Sequence, residues 1–549
     1  MTEARDIDVL ILGAGINGAG LFRDLCEQGV TCAIIDKGDF GSGTSAAPSR
    51  LIHGGIKYLE TGEFSLVAQS TLERNLLLRN APHYVKPLPT VIPIFSWLKG
   101  VSAALRTLFG STTAPRARGA VLIKLGLAMY DFYGARARVM PRHRLWSRRR
   151  ALTEIPSLTP RIVAAGTYFD AMVTHPERLV LELVQDGLAA NPASVAHNYT
   201  SLMQTDGKVL RFQPTDRPPF ALRPKIVVNA GGPWIDRVNA QLGLETKFIG
   251  GTKGSHILLD HPGLIRALNG RMIYFEADDG RICLVFDYLG RALVGSTDIR
   301  AADPETVACD DEEISYFLDS LRSLLPGLTF DQGQVVSCYS GIRPLPRSDG
   351  TAAGLISRDH SAPVAEAEDG RDWPVISLVG GKWTTFRGFA EEVCDTVLAR
   401  LSRPRQISTK DLPIGGGRDF PADPEVWAHQ TAAGGRLSTD RLITLLGRYG
   451  STAGTIASSD VGTAPLDPQG AWTEGEIAWI AAHEHVQHLA DIVLRRTPLA
   501  LTGGLTGSLL DRIAGVLGKQ QGWTDQRVES ELKTTRRELQ ERHRIDVDG

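Results

Sequence analysis

The chain is short of cysteine, of long apolar runs and of net charge. Its 549 residues include only six cysteines, Cys26, Cys32, Cys283, Cys309, Cys338 and Cys394, with no C-x-x-C pair among them. That scatter excludes a disulfide framework and a zinc ribbon and fits a reducing compartment. No stretch reaches the roughly 18 uncharged apolar residues of a membrane helix. The opening residues, MTEARDIDVLILGAGI, set acids before a brief apolar run, which does not read as a secretory signal. The expected location is cytoplasmic, or peripheral at the inner face of the cytoplasmic membrane. Net charge is −2, so the whole molecule makes no case for nucleic acid. A 42% apolar and 22% charged composition is that of a soluble globular protein, and the length asks for two or three domains.

The first sixty residues carry the strongest pattern. An apolar run, Val9 to Leu12, reads as a buried parallel strand. Gly13-x-Gly15-x-x-Gly18 follows, then a helix with Leu21, Phe22 and Leu25 on one face, then a second apolar strand ending at Asp36. Gly13 allows the tight turn, Gly15 lets a pyrophosphate approach the backbone, and Gly18 lets the helix pack on the strand. The helix N-terminus offers partial positive charge to phosphate, and Asp36 can accept hydrogen bonds from a ribose. A lone G-x-G-x-x-G is weak, but strand, glycines, helix, strand and terminal acid occur here in order. The motif does not choose between nicotinamide and flavin; its N-terminal place in a long chain leans to flavin. Small and hydroxyl residues from Ser42 to Ser49 then form a loop able to reach the cofactor, before LIHGGIKYLE, Leu51 to Glu60.

TSAAPSRLIHGGIKYLE after such a motif resembles the FAD-dependent glycerol-3-phosphate dehydrogenases, flavoproteins of the glycine-oxidase and D-amino-acid-oxidase-like fold. Similar stretches recur in order: ERNLLLRNAPHYVKPLPTVIP from Glu73, LGLAMYDFYG from Leu125, VVNAGGPWID from Val227, GTKGSHILLD from Gly251, LVGSTDIRAADP from Leu293, SGIRPL from Ser340, ISRDH from Ile356, VGGKWTTFRGFAEEVCD from Val379 and HVQHLADIVLRRTPLAL from His485. The resemblance spans nearly the whole chain. Four places depart from it. Lys57 stands where arginine is usual, Asp36 where glutamate is usual, Ala47 and Pro48 replace small polar residues, and the segment around Trp97 to Gly119 is longer.

The resemblance implies an α/β fold with a Rossmann-like FAD-binding domain, discontinuous over about 1–90, 150–245 and 345–410. It further implies an antiparallel cap at 246–344, an insertion at 91–149 and a helical C-terminal domain at 418–549. Strand-like alternation in RMIYFEADDGRICLVFDYLGRALVGSTD suits the cap, and LPIGGGRDF, lacking the Lys-Ser/Thr of a P-loop, reads as a linker. The implied reaction is oxidation of sn-glycerol 3-phosphate to dihydroxyacetone phosphate by hydride transfer to flavin N5, with electrons passed to a quinone. An oxidase using O2, or a dehydrogenase of another polyol phosphate such as erythritol phosphate, is the alternative.

Such a reaction needs a base for the hydroxyl proton, a hydride acceptor and a positive group at the developing oxyanion. His53 is the leading base, since its ordinary pKa of about 6.5 suits proton transfer near neutrality; His256 is the rival. Lys382, after two glycines, places a cation near the ring. Arginine matches a phosphate dianion best, and the resemblance assigns Arg343 and Arg358 to it, with Lys57 and Tyr58 lining the substrate side. The expected cofactor contacts are Gly13, Gly15, Asn17, Gly18, Asp36, Thr44, Ser45, Ser49, Leu51, His53, Gly54, Gly231, Gly381, Lys382 and Thr384. Arg387 reads as a surface residue. No metal site is expected: HEHVQH carries Gln487 where a zinc protease needs its second histidine, and a helix surface or core use is the plain reading. IFSWLKGVSAALRTLFG has one apolar helical face with Trp97, Leu98, Val101, Leu105, Leu108 and Phe109, suited to lying on a membrane surface. RARVMPRHRLWSRRR, Arg136 to Arg150, has seven arginines and no acid. A solvated face is its plain reading and anionic headgroups the sharper one. A homo-oligomer is among the expected assemblies.

Overall fold

The computed structural model describes residues 3–56, 63–97, 119–135, 139–301, 303–347, 359–433, 437–460, 462–467 and 470–548. Lys57, Tyr58 and Arg358 lie outside the described residues, as does most of the segment after Trp97.

Strand Arg5–Leu12 sits at the middle of the first sheet because its run from Val9 to Leu12 is apolar on both faces and buried on both. It pairs in parallel with Cys32–Ile35 (Val9↔Cys32) and with Phe220–Asn229 (Leu10↔Val227). The central order is Val364–Ala365, Val375–Ser377, Phe220–Asn229, Arg5–Leu12, Cys32–Ile35, Val195–His197, parallel from Val375–Ser377 to Val195–His197. Helices Ile16–Glu27, Pro176–Ala190 and Phe386–Arg400 supply the core on one face. The apolar run of VVNAGG thus becomes the neighbour of the first strand, though some two hundred residues separate them.

A ten-stranded second sheet stands beside it, in the order Ile299–Arg300, Thr252–Leu259, Arg291–Gly295, Ile282–Tyr288, Met272–Glu276, Val85–Ile94, Ala164–Val173, Leu51–Ile52. Val335–Arg343 flanks Thr252–Leu259, and Arg144–Ser147 flanks Ala164–Val173. Its ladders are antiparallel except where Met272–Glu276 meets Val85–Ile94. Strands from the 1–90, 91–149 and 150–245 spans therefore join the sheet built on residues 252–343. An apolar run announces a strand but not which sheet it enters. Pro87, Pro89 and Pro93 cannot donate to a ladder, and the parallel contact of Val85–Ile94 is confined to Thr90 and Val91.

The C-terminal helices Thr439–Tyr449, Glu474–His483, Gly507–Gln521 and Asp525–His543 share one apolar core. The glycines before them are not a loose hinge. The Gly415 amide donates to Asp186 at 3.0 Å, and side chains at Gly416 or Gly417 would collide with the Tyr449 or Asn80 carbonyls. The helical spacing through HEHVQH is broken: the helix stops at His483 and His485 takes φ 53°. Glu484 leaves the helix to pair with buried Arg178 at 2.5 Å. Among the described residues no group of His, Cys, Asp and Glu is placed to hold a metal. Arg387 is not the surface residue that the sequence reading expected. It is 9% exposed and paired with buried Glu73 at 2.6 Å.

Candidate active site

A cleft of about 600 Å³ opens between the two sheets. Gly13, Gly15, Asn17, Asp36, Thr44, Ser45, Ser49, Leu51, His53, Gly231, His256, Arg343, Gly381, Lys382 and Thr384 line it. Gly18 and Gly54 stand behind its wall. A side chain at Gly18 would collide with the Gly13 carbonyl, so this glycine seats the first helix on the turn.

The turn after Leu12 is built to receive a ligand. Gly13 has φ 107° and a Cβ there would come 2.6 Å from the Ala230 carbonyl oxygen, a conformation and a contact that only glycine accepts. Ala14 N donates to Asp36 Oδ2 at 2.7 Å and Gly38 N to Oδ1 at 2.9 Å, which aims the carboxylate at the turn. Burial pushes the Asp36 carboxyl up to about 6, against the pull of those two amides. Ile16 N donates to Ser45 Oγ at 2.9 Å, tying the hydroxyl loop to the helix start. Gly381, at φ 92°, passes over Asn17, where a Cβ would lie 2.9 Å from Nδ2. The Asn17 Oδ1 atom is buried and has no hydrogen-bond partner among the described residues. A buried acceptor awaiting a donor, a glycine-walled cradle and a carboxylate at the second strand end suit a dinucleotide's ribose and pyrophosphate.

The other end of the cleft is walled by the second sheet. Register places Thr252 opposite Arg343 and His256 opposite Tyr339. His256 is 1% exposed, stacks on the Tyr339 ring at 4.9 Å, and has Nε2 at 2.8 Å from Ser49 Oγ. Burial, then the charges of Arg343 and Arg50, hold its pKa well below the usual histidine range, so it is a neutral imidazole. Its Nδ1 is buried without a partner among the described residues. Arg343 lies across Gly254, where a side chain would overlap the guanidinium. It donates to the Thr297 carbonyl at 3.0 Å, Asp298 Oδ1 at 3.1 Å and Ser296 Oγ at 3.0 Å. His53 is half-buried on the cleft wall, at the end of strand Leu51–Ile52.

Several lining residues escape sequence reasoning. Glu305, from the loop after Ile299–Arg300, reaches Lys37 Nζ at 2.5 Å and accepts from Trp234 Nε1 at 2.7 Å, bridging the two sheets at the Asp36 end. Arg495, Glu538 and Arg542 enter from the C-terminal helices. Only Arg495 had a signal, the RRT of a matched stretch. Its neighbours in space could not be read from it.

Residues 8–395 match the model of the FAD dependent oxidoreductase family, and residues 407–528 that of the C-terminal domain of alpha-glycerophosphate oxidase. The chain is 32% identical to a glycerol-3-phosphate dehydrogenase of Synechocystis sp., over 96% of this chain and 95% of that one. It is 28% identical to a D-erythritol 1-phosphate dehydrogenase of Brucella abortus, over 90% and 95%. The fold matches the crystal structure of a glycerol-3-phosphate dehydrogenase from Bacillus halodurans complexed with FAD, at a TM-score of 0.74 and 21% identity over 99% and 96% of the two chains. The glycine-walled cradle, the two-sheet frame and the match over residues 8–395 lead to one conclusion: the chain belongs to the FAD-dependent oxidoreductase family.

Proposed function

We propose that the cleft oxidises the secondary hydroxyl of sn-glycerol 3-phosphate, giving dihydroxyacetone phosphate. The observation that carries this reading is the meeting, in one cleft, of the dinucleotide turn with His53, His256 and Arg343. The Synechocystis relative's name supplies the substrate. Bound FAD supplies the hydride acceptor. Gly13, Gly15, Asn17, Asp36, Thr44, Ser45, Ser49, Gly231, Gly381 and Thr384 are the residues that would hold it.

His53 takes the hydroxyl proton. It faces the cleft, whereas His256 is buried, kept neutral far below its usual pKa and tied to Ser49 through Nε2. His256 orients the substrate instead. Arg343 receives the phosphate: its half-buried guanidinium is held by carbonyl, hydroxyl and carboxylate, so a dianion meets a pre-oriented fork. Arg358, Lys57 and Tyr58 complete the substrate side in this reading. Lys382, lining the cleft after Gly381, offsets the negative charge that develops on the reacting oxygen. The electrons pass to a quinone at the membrane surface, which fits the exposed apolar side of helix Ala120–Tyr133, with Leu125 58% and Phe132 75% exposed. Among the described residues no helix is long and apolar enough to cross a membrane. A second substrate reading, erythritol phosphate, draws on the Brucella relative and on Lys57 in place of arginine.

Anaerobic bleaching of the yellow holoprotein by a panel of polyol phosphates tests the reaction. Fastest bleaching by sn-glycerol 3-phosphate is expected. Faster bleaching by erythritol phosphate reassigns the substrate, and reoxidation by air in preference to quinone makes the enzyme an oxidase. His53→Ala should slow turnover by about a hundredfold or more with FAD content retained. Arg343→Ala should raise KM roughly 10- to 100-fold, the loss of a charge-assisted hydrogen-bond set. A normal KM in that variant removes the phosphate assignment.

A further inference from the structure

The turn that carries His53 rests on a buried polar cluster behind the cleft wall. Strand Leu51–Ile52 pairs with Ala164–Val173 at Leu51↔Met172 and Ile52↔Ala171. Beyond Ile52 the backbone ladder stops and side chains replace it. The Gly54 amide donates to Tyr130 Oη at 2.9 Å and to Asp170 Oδ1 at 3.1 Å. The Tyr130 hydroxyl donates to the same Asp170 oxygen. Arg74 Nη1 donates to Tyr130 Oη at 2.7 Å, to Asp170 Oδ1 at 3.1 Å and to the Phe169 carbonyl at 3.2 Å. Arg74, Tyr130 and Asp170 are 4%, 3% and 1% exposed, and none of them lines the cleft.

Burial raises the Tyr130 phenol well above its usual range. It therefore stays protonated, donating to Asp170 while accepting from Gly54 and Arg74. A polar cluster closed in this way is rigid. Gly54 is glycine for the cluster's sake, because a side chain there would overlap the Tyr130 hydroxyl and the Thr71 methyl group. The three cluster residues come from three elements, helix Phe64–Asn80, helix Ala120–Tyr133 and strand Ala164–Val173. The His53–Gly54 peptide is thus fixed directly by two of these elements, and Arg74 on the third braces both acceptors.

We propose that Arg74, Tyr130 and Asp170 are positioning residues that lock the peptide plane after His53 and thereby aim its imidazole into the cleft. The proposal rests on the reading of His53 as proton acceptor. Tyr130 is neutral and Arg74 and Asp170 offset each other in charge, so the effect is one of geometry.

Tyr130→Phe keeps the ring and removes only the shared hydroxyl. In the holoprotein it should lower the rate of anaerobic flavin reduction roughly 10- to 100-fold, the scale of a small misplacement of a reacting group. KM, FAD content and the pH midpoint of the rate should hold. Hydrogen exchange of the peptide spanning Leu51–Ile56 should quicken in the variant, with or without substrate. The rate loss should vanish when Tyr130→Phe is made in a His53→Ala background, because removing either residue disables the same step. Unchanged exchange in the Leu51–Ile56 peptide, or an equal rate loss in both backgrounds, overturns the proposal. Full turnover by His53→Ala itself, with quickened exchange in Tyr130→Phe, instead overturns the proton-acceptor reading on which the proposal rests. Arg74→Lys, which keeps the charge opposite Asp170 but loses the fork that reaches Tyr130 and the Phe169 carbonyl, gives the same readouts should Tyr130→Phe fold poorly.

Discussion

In the proposed reading of Asp36 as the ribose ligand, a single carboxylate links pH to cofactor binding. Its folded pKa of about 6 stands above the ordinary aspartate value of about 3.9. The folded chain without cofactor therefore binds more protons than the unfolded chain between those values, and its stability falls as pH rises through that window. Ribose hydroxyls donate to the ionised form, so FAD affinity should climb as pH rises from about 5 to about 7 and level off above. Fluorescence titration of FAD onto the apoprotein checks this. The Asp36→Asn chain should bind more weakly with a flat profile, and a flat profile in the parent chain would contradict the linkage. The place of Asp36 at the cleft beside the glycine turn was legible, because its spacing from the glycines is local. The role of Gly54 was not. The sequence suggested close approach to the flavin, whereas the amide and the missing side chain serve Tyr130 and Asp170, which lie far along the chain.

At the scale of the element, helix Ala120–Tyr133 is apolar on two sides. Ile123, Leu127 and Tyr130 pack inward, while Val121, Leu125 and Phe132 recur at helical spacing on the outside, 50%, 58% and 75% exposed. A helix with apolar residues on two sides asks for cover on both. Arg142, Arg144, Arg149 and Arg150 follow it in sequence and are exposed, as an anionic lipid surface would require. Flotation with anionic liposomes should carry the protein up at low salt and less so at high salt. Leu125→Glu with Phe132→Glu should cut binding more than tenfold, given about 1.5–3 kcal/mol for each large apolar side chain removed from water. Flavin reduction by substrate should be unaltered in that variant. The sequence had pointed to the segment Trp97 to Phe109 for this contact. Trp97 is 53% exposed, and the rest of that segment lies outside the described residues.

Across the whole molecule, buried ion pairs bind the C-terminal helices to the cofactor-binding sheet. Asp39, 1% exposed, pairs with Arg496 at 2.7 Å and Arg495 at 2.8 Å. Burial alone would raise its pKa, but Arg496 and Arg495 hold it below the carboxylate range. Arg178 and Glu484 make a second buried link. Removing one partner leaves buried charge uncompensated, at a cost of about 3–5 kcal/mol. Asp39→Asn should therefore lower the urea midpoint markedly. FAD content should fall with it, because Asp39 shares a loop with Asp36 and Arg495 lines the same cleft. Retention of both the midpoint and the FAD would show the two parts to be independent.

The sequence by itself determined the dinucleotide turn, the alternation of the second sheet and the helical C-terminal part, since these rest on spacings within a few turns or strands. It also carried many residues of the cleft inside short motifs, though not Glu305, Glu538 or Arg542. Tertiary structure alone decided which of them meet. Pairing between Thr252–Leu259 and Val335–Arg343 sets His256 beside Tyr339 and lays Arg343 over Gly254, and no local pattern encodes a register across so long a loop. It likewise decided that Glu484 should break a helix to reach Arg178, and that Tyr130 should stand behind His53. Those choices follow from the need to bury and satisfy every polar group once the apolar faces have closed, a condition that exists only in the assembled fold.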